Sequence, residues 1–443
     1  MKPVVSHLRT AGLLSVVYLD DFLLLGDSYR NCLHNVTQTT TLLESLGFII
    51  NKEKSCMAPQ QVCEFLGFTI NTVEMSIKIP DKKVEKLFKM VNNFSILNFC
   101  KIREFATLVG KLVSINPAMK FGWLHTRNFE RVKLLALNSH GENYDATMQI
   151  PSSLKDDFEW WRKNLSNSGN SLEKLQFDLE IFSDASNTGW GVCCKGLRTH
   201  GHWSASEQSY HINLLELQAA FFGLKCFASN IKNKNIVCRI DNTTAIACIN
   251  KMGSVQFPKL NSLTREIWHW CENRNIFIFA SYIRSVENVD ADRESRRALS
   301  IETEWELSTF AFGKICHTFG YPVIDLFASR LNKKCDKFIS WFRDPEASEV
   351  NAFTVSWANL WFYAFPPFTL ILKVLNKINA DKAKGIVVVP LWPAQPWFPL
   401  FKSMLDSPLI IFEPNRRLLS FDRRPHPLWR RISLAVGILS GKP

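Results

Sequence analysis

Four carboxylates in the middle of the chain, Asp184, Glu216, Asp241 and Asp292, have the types and spacing to act together. Asp184 follows the apolar run Ile181-Phe182-Ser183 and precedes Ala185-Ser186-Asn187-Thr188-Gly189, a pattern that predicts a strand entering a glycine-containing hairpin. Glu216 falls in the first turns of a helix predicted over 211–227. Asp241 closes a strand predicted over 236–240, and Asn242-Thr243-Thr244 after it can cap the next helix. Asp292 stands at a predicted helix start, just after a strand-like stretch at 276–280. Two strand ends, a helix face and a helix start can bring four carboxylates into one place. Like charges gathered there repel and lose hydration, which disfavours ionisation. Divalent cations relieve this. Mg²⁺ (or Mn²⁺) prefers hard oxygen ligands, and two such ions roughly 3.5–4 Å apart can activate water and stabilise a leaving oxygen. Metal-assisted phosphodiester hydrolysis is the chemistry expected here, with all four residues both catalytic and metal-binding.

A second acidic pair lies near the N-terminus. The run from Ser15 to Gly26 contains Tyr18-Leu19-Asp20-Asp21 and predicts two apolar strands around a tight acidic turn. Adjacent aspartates between apolar strands are awkward unless a cation or a metal-bound phosphate uses them. Asp20 and Asp21 are therefore further metal-binding candidates.

The elements that must hold these groups can be read in outline. From 79 to about 165 the pattern is helical and basic. Pro80-Asp81 starts a helix with Val84, Leu87, Phe88 and Val91 on one face and Lys82, Lys83, Lys86 and Lys89 on the other. A second helix, 101–115, carries Ile102, Phe105, Leu108, Val109 and Leu112 and stops before Asn116-Pro117. Trp160-Trp161 reads as helix packing. Ser166-Asn167-Ser168-Gly169-Asn170-Ser171 reads as a linker. Next come strand, hairpin, strand, helix, strand, two helices, strand and final helix, which is a mixed sheet with helices on both sides. His211 and Asn213 support the start of the Glu216 helix; His200 and His202 receive no role. After Ser300 the chain turns rich in Trp, Phe and Pro, with a strand followed by a loop expected within 323–330, a buried strand at 386–390, and the aromatic turn Tyr363-Ala364-Phe365-Pro366-Pro367-Phe368 between them.

Composition bounds these readings. A chain of 443 residues with 46% hydrophobic and 21% charged residues is a folded protein of two to four domains. A net charge of +12 suggests an anionic partner, nucleic acid first. Lys82, Lys83, Lys86 and Arg239 are the candidate nucleic-acid contacts, and Arg416, Arg417, Arg423, Arg424, Arg430 and Arg431 add a basic patch near the C-terminus. The 12 cysteines form no metal-ligand spacing and read as reduced, mostly buried thiols of an intracellular protein, cytoplasmic or nuclear. No apolar run reaches the length of a membrane span, so no membrane partner is expected. The pattern fixes no oligomeric state.

Three resemblances organise the whole. Ser183-Asp184-Ala185-Ser186, Glu216-Leu217-Gln218-Ala219, Asp241-Asn242-Thr243-Thr244-Ala245 and Asn288 with Ala291-Asp292 resemble, in this order, the type 1 ribonuclease H domain. The resemblance implies cleavage of the RNA strand of RNA–DNA hybrids by two metal ions. Where many such enzymes carry Gly-His, this chain has Ser285-Val286. Upstream, Tyr18-Leu19-Asp20-Asp21 resembles the YxDD motif of reverse transcriptase palms. Residues 43–55 resemble the following palm motif with Lys54 as its lysine, and Glu64-Phe65-Leu66-Gly67-Phe68 resembles the hairpin that grips the primer. Tyr18, Asp20, Asp21 and Lys54 would be the polymerase-motif remnant. No acidic residue precedes Tyr18, so the chain alone is not expected to polymerise DNA and reads as N-terminally truncated or decayed. The C-terminal Asp325-Leu326-Phe327-Ala328 and Phe365-Pro366-Pro367-Phe368 resemble, with departures, the adenine-N6 methyltransferase-like region of DIRS-type (tyrosine-recombinase) retroelements. No Gly-x-Gly follows Asp325, and Phe365 cannot accept an amine's protons.

The expected fold is a multidomain α/β protein. It comprises a partial reverse transcriptase palm (1–78), a helical thumb and connection (79–170), a ribonuclease H-like mixed sheet with flanking helices (171–300) and an α/β methylase-like tail (301–443). The expected partner is an RNA–DNA hybrid or a template–primer. A non-catalytic nucleic-acid-binding remnant, and a polymerase completed by a further N-terminal segment, stay open as alternatives.

Overall fold

A computed structural model describes residues 1–297, 305–421 and 424–441. The chain forms two compact α/β units divided between Leu175 and Gln176. The expected boundary at 300 and Arg423 of the basic patch lie outside the described residues.

In the first unit, α1 (Lys2–Thr10) leads into the hairpin of β1 (Leu14–Tyr18) and β2 (Asp21–Leu25). Tyr18 pairs with Asp21, which leaves Leu19 and Asp20 at the tip. α2 (Tyr29–Ser45) lies against the hairpin. Its Asn35 Nδ2 donates to the carbonyls of Leu14 and Leu25 at 2.8 and 2.9 Å, tying both strands to one helical side chain. β3 (Val62–Phe65), β4 (Phe68–Asn71) and β5 (Ser76–Lys78) follow as an antiparallel meander. The turn between β3 and β4 places Leu66 and Gly67 at φ 51° and 75°, the backbone of the tight hairpin turns that favour glycine.

Four helices enclose the core of this unit: α3 (Asp81–Ser95), then, after β6 (Phe99–Lys101), α4 (Ile102–Ile115) and α5 (Gly122–Ser139), and, after β7 (Thr147–Gln149), α6 (Lys155–Asn164). Leu87, Val91, Ile102, Phe105, Leu108, Val109 and Leu112 are buried as their spacing predicts. Phe88 is a correction, because it is exposed while Val84 and Phe94 pack inward. It follows Leu87 directly, and one step turns the helix by about 100°. Trp161 is fully buried, and its indole donates to the His125 carbonyl at 3.3 Å.

The 166–171 segment is not a linker. Asn170 and Ser171 form β8 (Asn170–Ser171), which pairs with β5, and the Gly169 amide donates to Ala118 O at 2.9 Å. A polar segment can satisfy its backbone on a strand edge as well as in water. Composition alone could not show the partner strand far upstream.

The second unit opens with a five-stranded sheet ordered β11-β10-β9-β12-β13. Its strands are β9 (Leu179–Ala185), β10 (Gly189–Cys194), β11 (Leu197–His202), β12 (Asn235–Ile240) and β13 (Phe277–Tyr282). The first three pair antiparallel, and β12 runs parallel to both β9 and β13. α7 (Ile212–Ala228), α8 (Thr243–Asn250) and α9 (Pro258–Glu272) connect them, and α10 (Val289–Ser295) follows. Gly223 of α7 packs on Ile181 and Val192. Gly191 lies directly under α10, where a Cβ would overlap the Ala291 carbonyl and the Ser295 amide nitrogen. Neighbouring residues of a strand face opposite sides, so α7 and α10 cover opposite faces, as expected from the sequence.

The C-terminal part of this unit carries β14 (Glu306–Leu307), α11 (Thr309–Phe319), β15 (Ile324–Asp325), β16 (Lys337–Ser340), β17 (Glu349–Val350), β18 (Trp361–Ala364), α12 (Ile371–Ala380) and β19 (Lys384–Pro390). α13 (Phe398–Ser403), β20 (Ile410–Phe412), β21 (Leu419–Phe421), β22 (Arg424–Pro425) and β23 (Leu434–Ser440) complete it. Seven strands form one sheet, β17-β16-β15-β18-β19-β23-β20, parallel except for β23. Val387 and Val389 of β19 enter one core with Trp357 and Phe362, while Ile386 and Val388 enter another with Leu307 and Ile315. A strand covered on both faces has no polar alternation, which explains the unbroken apolar run at 386–389.

Candidate active site

β9 and β12 lie side by side and parallel, so their carboxyl ends share one edge of the five-stranded sheet. Asp184 lies at that end of β9, and Asp241 follows the last residue of β12. α7 brings Glu216 to the same place. Carboxylate oxygens of Asp184, Glu216 and Asp241 lie within 4.8 Å of one another. The helix starts around them are cross-tied. A His211 ring nitrogen accepts the Asn213 N–H at 3.2 Å, and Asn242 Nδ2 donates to Asn213 Oδ1 at 2.9 Å. Asn242 Oδ1 caps α8 by accepting the Ala245 N–H at 2.9 Å. The supporting roles expected of His211, Asn213 and Asn242 are the ones observed.

The cluster is electrostatically strained. Asp184 and Glu216 are 5% and 4% exposed. Burial pushes the Asp184 carboxyl above its ordinary pKa, and the neighbouring charges of Asp241 and Asp292 add to this. The Ser295 hydroxyl, donating to Asp184 Oδ2 at 2.6 Å, opposes it. Glu216 is pushed up to about 9, by burial first and then by Asp184 and Asp241, against one opposing donation from the Ala185 N–H. Two unit charges 4 Å apart repel by about 4 kcal/mol at an effective dielectric of 20, so this site favours protons or a cation. Glu216 Oε2 is buried and has no hydrogen-bond partner among the described residues. Asp241 is less buried, and the Ser285 hydroxyl donates to its Oδ2 at 2.7 Å.

Asp292 departs from the expectation. It lies in the first turn of α10, as expected, but it is not one of the three residues whose oxygens converge. Arg296, one turn on, holds its Oδ1 through Nε at 3.0 Å and Nη2 at 2.6 Å. The i,i+4 spacing makes this pair local to the helix. Three further contacts fix α10 itself: Asn288 Nδ2 donates to Ser183 O at 3.0 Å, Ser186 Oγ donates to Ser295 O at 2.7 Å, and His200 Nδ1 meets Glu294 Oε2 at 2.7 Å. His200 and Glu294 are buried, and burial lowers the His200 pKa against the pull of Glu294. Sequence reasoning missed Ser285, Ser295, His200 and Glu294. Ser295 could have been found, since it lies three residues after Asp292 and shares its helix face.

The remaining candidates are not gathered into a site. Tyr18, Asp20, Asp21 and Lys54 are exposed, and Asp20 and Asp21 join no three-residue metal-competent cluster among the described residues. Lys82 and Lys86 are exposed on α3. Lys83 instead folds over the β3–β4 hairpin, 5.1 Å from the Phe68 ring centroid, and burial lowers its pKa. Arg239 does not project freely to a partner: Nε donates to Glu180 at 2.5 Å and Nη1 to Ser281 at 2.9 Å. In the C-terminal sheet Asp325 is buried. Its two oxygens accept the N–H groups of Phe327 and Lys334 at 3.2 and 3.1 Å, and burial raises it to about 6. All 12 cysteines are free thiols, and no helix among the described residues is long and apolar enough to cross a membrane.

Comparison with known proteins places residues 1–70 in a match to the family model described as Reverse transcriptase (RNA-dependent DNA polymerase). An enzymatic polyprotein of Cassava vein mosaic virus is 25% identical over 278 residues, covering 57% of this chain and 39% of that protein. The chain thus spans about two fifths of the length of that curated relative. Among solved structures, the foamy viral protease–reverse transcriptase in complex with RNA/DNA hybrid aligns at 14% identity over 69% of this chain and 41% of its own, TM-score 0.34. A type 1 ribonuclease H of the halophilic archaeon Halobacterium salinarum aligns at 15% identity over 26% of this chain and 92% of its own, TM-score 0.23. The chain is therefore similar in sequence to a viral enzymatic polyprotein and, over residues 1–70, to reverse transcriptases.

Proposed function

We propose that the acidic cluster of the second unit is the active site of a ribonuclease that cleaves the RNA strand of RNA–DNA hybrids by two-metal-ion hydrolysis. The observation that carries this is the convergence of Asp184, Glu216 and Asp241, with a buried Glu216 oxygen lacking a partner among the described residues. The set fits Mg²⁺ or Mn²⁺, since every donor is a hard oxygen and the excess negative charge is buried. Asp184, Glu216 and Asp241 would hold the ions, with Asp292 beside them. When bound, the ions would supply an activated water and charge neutralisation at the leaving oxygen.

The chain's own groups do the positioning. The Ser295 and Ser285 hydroxyls each fix one oxygen of Asp184 and Asp241, so both carboxylates are oriented before any ligand arrives. α10, clamped by His200–Glu294 and Asn288, carries Ser295 and Asp292 to the site. A hybrid would be selected by its 2′-hydroxyls and shape rather than by base sequence. Lys82 and Lys86, exposed on one helix, suit a phosphate backbone. The free thiols suit a reducing compartment, cytoplasm or nucleus.

A second reading, RNA-directed DNA polymerisation, is favoured by the family match over residues 1–70 and would use Tyr18, Asp20, Asp21 and Lys54 within a larger palm. The parallel-to-antiparallel order of the seven-stranded sheet is compatible with a methyltransferase-like scaffold. Its residues do not fit S-adenosylmethionine chemistry: both oxygens of Asp325 are spent on backbone N–H groups, and Phe365 offers no acceptor for a target amine. A DIRS-type retroelement origin rests on the order of the sequence motifs alone.

The test is cleavage of an end-labelled hybrid by the whole chain with Mg²⁺, Mn²⁺ or EDTA. Metal-dependent cutting of the RNA strand alone, absent in Asp184→Asn, is expected. Hybrid binding without cutting in either metal would sink the reading.

A further inference from the structure

A cavity of about 460 Å³ opens between the carboxyl ends of β15, β16 and β18 and the β10–β11 side of the five-stranded sheet. Its volume is in the range of small-molecule sites. Its position is also telling. From β15 the chain builds outward to β16 and β17 on one side, then returns to add β18 and β19 on the other. Such a reversal leaves a crevice at the strands' carboxyl ends, where open α/β sheets bind ligands.

Two buried donors on the wall lack acceptors among the described residues: Arg330 Nε and Trp190 Nε1. The Arg330 side chain is only 8% exposed. Its terminal nitrogens are used by the Glu207 carboxylate and, at 3.0 Å, by His202 O, and its plane lies 4.7 Å from the Phe222 ring centroid, so the guanidinium is fixed. Trp190 is 1% exposed. A buried unmet donor is costly, and a ligand acceptor would remove that cost.

Charge and shape narrow the ligand. Three arginines, 297, 330 and 343, line the cavity, and Asp344 is the one acid among the described lining residues. Arg330 is paired with Glu207 and Arg297 with Glu294, so Arg343, whose Nη1 donates to Cys226 O at 3.2 Å, is the cation without a carboxylate partner among the described residues. Asp344 is already occupied, accepting the Arg330 and Glu346 N–H groups at 2.9 Å each. Trp341, Phe342 and Phe327 supply aromatic wall, and the first two are substantially exposed there. Unmet N–H donors, the Arg343 cation and flat apolar surface match an anionic ligand with an aromatic, acceptor-rich ring. We propose that this cavity binds a nucleotide, its base against the aromatic wall and its phosphate drawn by Arg343. The inference is independent of the nuclease reading.

The test is calorimetric titration of the full chain with AMP, UMP, adenosine, inorganic phosphate, S-adenosylmethionine and a 5′-phosphorylated trinucleotide. One-to-one binding of a monophosphate, about tenfold or more tighter than adenosine or phosphate alone, is expected. Arg330→Lys keeps a cation for Glu207 but removes the Nε donor, and Trp190→Phe keeps a ring but removes the indole donor. Each should weaken binding about tenfold without lowering the melting temperature by more than a few degrees. Trp341→Ala, at a partly exposed position, provides the same readout if either buried variant misfolds. A trinucleotide that binds like the monophosphate identifies a strand end as the source, and one that is excluded identifies the free nucleotide. Absence of monophosphate binding at millimolar concentration, tighter binding of S-adenosylmethionine, or full binding by the folded variants would overturn the proposal.

Discussion

The two acidic sites differ in the one respect that decides what they can do alone. Asp20 and Asp21 are neighbours in sequence, held at a two-stranded hairpin tip and open to solvent. Asp184, Glu216 and Asp241 come from two strand ends and a helix, and the fold brings their oxygens together, with Asp184 and Glu216 deeply buried. Exposed carboxylates keep their hydration and need no partner. Buried like charges lose it and are stable only with protons or cations. Adjacency in sequence thus gives a motif, while convergence under burial gives a site that favours protons or a cation.

The contrast can be broken most directly by removing one carboxylate from each site. Asp184→Asn should lower metal-dependent hybrid cleavage by roughly a thousandfold, on the scale of losing a key charge-stabilising group, with the fold retained by circular dichroism. Cleavage by that variant within tenfold of the parent would mean that convergence is not what matters.

Next in size is the packing that delivers α10. Gly191→Ala sets a methyl against the Ala291 carbonyl and the Ser295 amide. It should cost about 3 kcal/mol, seen as a lowered urea midpoint, and cleavage should fall with it. An unchanged midpoint would show that α10 is not seated on β10.

The pH dependence sharpens the same comparison. Glu216 is raised from its ordinary value to about 9, and Asp184 is raised as well. A carboxyl raised in the folded state contributes stability that is complete below its unfolded pKa and is lost as pH climbs towards the folded one. In EDTA the melting temperature of the second unit should therefore fall between pH 5 and pH 9. Mg²⁺ should restore it, more at high pH than at low, because metal binding displaces protons. A flat profile in EDTA would argue that the cluster is not buried in solution.

Smaller still is Ser295→Ala, which removes the donor to Asp184 and should cost about 1 kcal/mol. Cleavage should drop a few-fold, and its acid limb should move to higher pH. Asp20→Asn with Asp21→Asn should change neither cleavage nor melting. A loss of hybrid cleavage there would overturn the division drawn between the two acidic sites.

The sequence by itself determined the local elements and which carboxylates could matter. The apolar strands leading to Asp184 and Asp241, and the Asn242 cap, are set by backbone geometry and near neighbours, and they reappear in the structure. The helical faces of α3 and α4 were legible for the same reason, except at Phe88, where a single residue's rotation separates inside from outside. Tertiary structure decided which groups meet. It folded the apparent linker at 166–171 onto β5, turned Arg239 to Glu180, and gave Asp292 to Arg296. It also recruited Ser285 and His200, which no spacing rule joins to Asp241 and Glu294. Strand propensity and capping act over a few residues, whereas burial and charge pairing act between segments far apart in the chain. Only the packed fold sets the distances on which those longer-range energies depend.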